Sequence, residues 1–155
     1  MPLALVGVAV SAYLTVAHYS TTAVLACSDK GVVNCAKVTT SSYSVVAGIP
    51  VAVLGLVFFV AMVGLQTPFA WRSPRADVRI VRLALASTGA AAVVWLIYVE
   101  LFRLDAICLY CTIVHLLAVA LFVQTGLGTA ATAPGAGPAE WEPGDAVDVV
   151  IGSAP

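Results

Sequence analysis

The chain has 155 residues, 61% of them hydrophobic and 10% charged, and a mean hydropathy of +1.03. An ordinary soluble domain is nearer half apolar and a quarter charged, so this balance excludes one and points to lipid as the main solvent. A net charge of -1 offers no attraction for nucleic acid or for an acidic substrate.

Crossing a hydrocarbon core of roughly 30 Å takes a helix of about 20 apolar residues. The first apolar stretch, residues 3–26, carries no charge apart from the usually neutral His18. It lacks a basic leader and exceeds a signal-peptide core in length, so it is expected to remain as a span. A polar loop with Cys27, Lys30 and Cys35 follows, then Lys37 and a Thr/Ser run. The second stretch is 45–65. The third, 82–100, reaches spanning length only if Arg82 and Glu100 sit at the two interfaces with snorkelling side chains. The fourth, 106–127, opens on Cys108-Leu109-Tyr110-Cys111. Residues 1–127 are therefore expected to form an all-α membrane protein, a four-transmembrane-helix bundle. Residues 128–155, rich in Ala, Gly, Pro and acids, read as a disordered cytoplasmic tail. No internal repeat is visible.

Charge gives the orientation. Arg72, Arg75, Arg79 and Arg82 cluster between spans 2 and 3, against Lys30, Lys37 and Arg103 on the other side. The positive-inside rule puts the arginine loop and both termini in the cytoplasm. Two crossings separate the loop cysteines from the second pair, so all four sulfurs share one face. By the arginine count that face is extracytoplasmic, where disulfides persist.

Cys108 and Cys111 lie three residues apart at a helix start, about 4.5 Å along the axis, within reach of a mutual bond. The helix N-terminus favours thiolate, most strongly at Cys108. Cys111 lies one turn deeper, where an apolar oxidant reaches it. Cys27 and Cys35 bracket a polar loop and suit either a disulfide or a mobile pair that exchanges with other sulfurs. Two structural disulfides in a non-catalytic scaffold, or a four-cysteine metal site, are the alternatives. A structural bridge gains little from joining residues one turn apart in a helix, and a metal site would leave the asymmetry of the two pairs unused.

Cys27-x7-Cys35, the run Lys37 to Ser44, Gly48-Ile49-Pro50 with Gly55, and Cys108-x-x-Cys111 together resemble the vitamin K epoxide reductase family, its bacterial members in particular, over roughly residues 3–127. The other four-helix disulfide-forming family, the DsbB type, places its CxxC first; here the order is reversed. The resemblance implies a bundle around a quinone, menaquinone or ubiquinone, capped by a Cys27–Ser44 loop or half-helix. It also implies a quinone-dependent thiol oxidase in the inner membrane. Its partner would be a periplasmic thioredoxin-fold (DsbA-like) protein acting in trans, since no such domain is fused here. Electrons would pass from Cys27/Cys35 to Cys108/Cys111 and on to the quinone.

For the quinone pocket, His115 is four residues past Cys111, on its face and about 6 Å deeper. An ionisable group inside a span is a functional candidate, although a histidine bonded to a neighbouring helix explains it too. His18 lies at a similar depth. Ser41 matches a family hydroxyl near the cysteines, and Tyr43 an aromatic of the lid; Ser41 or Ser42 as a helix cap is the plainer reading. Vertebrate relatives carry Tyr at the position of His115, which favours a respiratory quinone over vitamin K epoxide. Gly48, Gly55 and Pro50 suit a lid-to-span turn and close helix approach. Trp95, Tyr98 and Phe102 read as an interfacial aromatic belt, and Glu100 and Asp105 as solvated charges.

Overall fold

In a computed structural model of the chain, residues 1–20, 27, 31–73 and 75–131 are described. Three helices are long and apolar enough to cross a membrane: α1 (Pro2–Tyr19), α5 (Ala76–Phe102) and α6 (Leu109–Ala131). A shorter apolar helix, α3 (Val51–Leu65), joins them. Two short helices, α2 (Cys35–Thr39) and α4 (Pro68–Arg72), lie in the connections. The apolar helices close a ring: α1 packs on α3 and α6, and α5 packs on α6 and α3. The protein is an integral membrane protein built as a helical bundle.

Helix formation follows from composition. Each long element is a run of Ala, Leu, Val and Ile with few breakers, and its backbone polar groups must be satisfied internally in lipid. The interior is narrow. Ala4, Phe59, Met62, Ala86, Val93, Ala118 and Leu121 form the buried core, while Val57, Val94 and Leu116 face outward, as expected where the surroundings are acyl chains. Gly7 of α1 lies against the Phe59 ring, in space that a Cβ would need. That glycine sets the close α1–α3 approach.

Several expected limits shift. Span 1 is helical to Tyr19, and the stretch 21–26 lies outside the described residues. The second element starts at Val51 because Val45–Val46 and Ile49–Pro50 pair as an antiparallel hairpin. Its two-residue turn, Ala47 (φ 52°) and Gly48 (φ 83°), has both central residues at positive φ, the requirement of a type I′ turn. Pro50, with φ fixed and no N–H, then leads into α3. At 15 residues, α3 extends only about 22 Å. The third element is longer than expected at 27 residues, and α6 continues to Ala131. Residues 132–155 of the expected tail lie outside the described residues.

Arg82 does not snorkel at an interface. It is 3% exposed, six residues inside α5, with its guanidinium carbon 3.5 Å from the Trp71 ring centroid. The ring of α4 supplies a cation–π partner that water would otherwise replace. Trp71 Nε1 donates to Gln66 Oε1 (2.9 Å), and Gln66 Nε2 donates to Thr125 Oγ1 (3.0 Å). This buried polar chain ties α4 to α6 at the end of the bundle remote from the cysteines.

Candidate active site

At the other end, local backbone pairing assembles the sulfurs. Asn34 caps α2, its side chain accepting from Lys37 N at 2.8 Å. The preceding residues pair in parallel with the segment before α6, Val33 opposite Ile107. Ile107 N donates to Val32 O (2.8 Å), and Asn34 N donates to Ile107 O (3.0 Å). This bridge docks Cys35 beside Cys108. Cys35, Val38, Ala106 and Cys108 form one buried cluster, with Cys27, Leu104, Tyr110 and Cys111 packed on it.

Cys27 and Cys35 are joined in a disulfide, Cα–Cα 6.0 Å, while Cys108 and Cys111 are free thiols. Cys27 is partly accessible and Cys35 is 1% exposed. Among the described residues, no group of three or more His, Cys, Asp or Glu is arranged to hold a metal ion. Cys108 lies just before α6. Its sulfur takes a hydrogen bond from the Cys111 thiol, and this outweighs burial in holding it below the ordinary thiol range. The Cys111 N–H also reaches it, at 3.3 Å, in the manner of a helix N-terminus satisfying an anion.

Below the cluster, α1, α3, α5, α6 and the hairpin enclose a cavity of about 530 Å³, within the usual ~300–1,000 Å³ of small-molecule sites. Its walls are overwhelmingly apolar. Cys111, His115, His18, Ser41 and Tyr43 all line it, whereas Cys108 is not among its walls. His115 is 5% exposed. The Ser41 hydroxyl donates to Val38 O (2.9 Å) and makes no side-chain cap to the 3₁₀ turn that follows it, Ser42–Ser44. Trp95, Tyr98 and Phe102 stack along the outer face of α5, centroids 5.7 and 5.3 Å apart, and Trp95 also touches the cavity.

Asp105 is exposed as expected, but Glu100 is not a solvated charge. It is 6% exposed and lines the cavity, because the chain leaving α5 folds back over it. Ala106 N donates to Glu100 O at 3.1 Å, and Asp105 takes a positive φ of 45° to make that turn. Ser11, 1% exposed, is a second wall residue that sequence reading missed. Glu100 carried no sequence signal of burial, since an acid near the end of a lipid-spanning run suits an interface equally well.

The model of the vitamin K epoxide reductase family matches residues 1–125. The chain belongs to this family. A search of curated proteins found no match. As a vitamin K epoxide reductase family protein it falls among thiol-disulfide oxidoreductases linked to quinones. Its loop disulfide, its free CxxC pair and its apolar helices all fit that chemistry.

Proposed function

We propose that this protein oxidises a thioredoxin-fold partner on the extracytoplasmic side of the cell membrane and passes the electrons to a menaquinone or ubiquinone, in support of disulfide formation. Four spans carry the site, α3 completing its crossing with the flanking hairpin. The observation that carries this reading is the division of labour at the CxxC pair: Cys108 shares a buried cluster with Cys35, and Cys111 faces the apolar cavity.

A reduced partner attacks Cys27, the accessible sulfur of the loop disulfide, and Cys35 leaves as thiolate. Cys35 attacks Cys108 of an oxidised Cys108–Cys111 pair and releases Cys111. The partner's second thiol displaces Cys27 and leaves as a disulfide; Cys27 then recloses on Cys35, freeing Cys108. The loop bridged and the CxxC pair reduced is the state reached at this point. The Cys108 and Cys111 thiols give up two electrons and two protons on forming their bond, which a quinone held in the cavity would accept. An apolar cavity with a few polar wall groups suits such a ring, and His115 and His18, which line it, would hydrogen-bond its oxygens. Tyr43 and Ser41 close the lid side.

The decisive assay mixes purified protein, a reduced thioredoxin-fold protein and a quinone, and follows quinone absorbance. Cys111→Ser should abolish quinone reduction. Normal turnover in that variant overturns the scheme. The rival, a scaffold with structural cysteines, predicts thiols whose alkylation pattern is unchanged when quinone is added.

A further inference from the structure

Glu100 is a buried acid with no cation ion-paired to it among the described residues. It lines the same cavity as Cys111, and the Cys108 backbone N–H reaches its carboxylate. An unpaired carboxyl is costly in an apolar bundle and is kept where it handles protons or polar cargo. The chain is built to hold it there, since the Glu100 carbonyl anchors the turn that delivers Cys108. We infer that Glu100 is the proton carrier of the quinone step, moving a proton from the Cys111 thiol to the quinone oxygen across the cavity they share.

This inference rests on the quinone reading above. Forming the Cys108–Cys111 bond removes two electrons and two protons from the thiols, and reducing a quinone to hydroquinone consumes the same. Glu100, as carboxylate, takes the Cys111 proton while that sulfur is oxidised. As carboxylic acid it then gives the proton to the nearer quinone oxygen and returns to its starting state. The second proton comes from solvent and balances the one Cys108 releases on ionising. The remaining titratable groups facing this space are Cys111 and His115 of α6, His18 of α1 and Tyr43 of the lid; α3 contributes none.

The rival role for Glu100 is structural, a carboxyl that merely accepts from the Cys108 N–H. Glu100→Gln separates the two, because the amide oxygen still accepts that bond but cannot carry a proton. Full-length protein in menaquinone- or ubiquinone-containing vesicles is the system. E100Q should slow quinone reduction by roughly 10²-fold, the range of a lost general acid–base group, and should remove the pH dependence seen in wild type. Oxidation of Cys108 and Cys111 by a thiol oxidant such as diamide should stay normal, and Glu100→Asp should restore part of the quinone rate. Without any quinone, the infrared difference between dithiol and disulfide states should contain a carboxyl band that E100Q lacks. An active wild type with an equally active E100Q, or no such band, overturns the inference alone. A wild type that reduces no quinone overturns the underlying reading and the inference with it.

Discussion

At the scale of single residues, the two CxxC sulfurs differ by environment rather than by chemistry. Cys108 receives the Cys111 thiol hydrogen bond and two backbone N–H groups, so its thiolate persists as pH falls through the ordinary thiol range, about 8.5, and is lost only below it. On the proposed relay, exchange at Cys108 therefore keeps its rate at a pH where an unassisted thiol has become inert. Cys111→Ala removes the largest of these contributions and should move the Cys108 midpoint upward. Ultraviolet thiolate absorbance, measured against a Cys108→Ser reference, reads that midpoint directly; an unmoved midpoint would show that the Cys111 side chain does not hold the anion. The gathering of the four cysteines and the similar depth of His18 and His115, which both line the cavity, were legible from spacing and the order of the spans. Glu100 and Arg82 were not, because a charge near the end of an apolar run looks the same whether it faces water or folds inward. Their burial is decided by how the chain turns just beyond the helix ends, the returning Ala106 turn for one and the Trp71 ring for the other.

At the scale of elements, the joint between the two cysteine pairs is a single parallel bridge. A helix of five residues such as α2 cannot hold itself in place; it depends on the Asn34 cap, the disulfide and the Val33–Ile107 pairing. Ile107→Pro deletes the N–H that donates to Val32 O without touching a sulfur. In a Cys27→Ala/Cys111→Ala background only Cys35 and Cys108 remain to bond, and mild oxidation should join them readily. Adding Ile107→Pro should lower the yield about five- to tenfold, the worth of a backbone hydrogen bond of ~1–1.5 kcal/mol, with helical circular dichroism unchanged. An undiminished cross-link would mean that the bridge does not set the alignment. The length of the apolar runs found the helices but misplaced the start of α3, since Val45, Val46 and Ile49 are as apolar as the helix they precede. What separates them is turn chemistry at Ala47–Gly48, which hydropathy does not register.

At the scale of the whole molecule, the bundle has two unlike ends. One carries the sulfur cluster and the hairpin; the other carries the Trp71–Gln66–Thr125 chain and Arg72, Arg75, Arg79 and Arg82. The proposed electron flow from an extracytoplasmic thiol to a membrane quinone requires the first end to face outward, because the proposed partner would have no access to the second. The arginines favour this orientation, each costly to move across an apolar core and attracted by the anionic cytoplasmic leaflet. Two single-cysteine proteins test it: one retaining Cys27 alone, the other carrying Ser73→Cys, between α4 and α5, with all native cysteines replaced. In intact cells or spheroplasts a membrane-impermeant maleimide should label Cys27 and leave S73C untouched; permeabilisation should then expose S73C. Labelling of S73C from outside, with Cys27 protected until lysis, would invert the bundle and remove the partner from reach. Labelling of both from outside would mean that α3, at about 22 Å, does not cross at all, and the lid and the arginine loop would then share a surface.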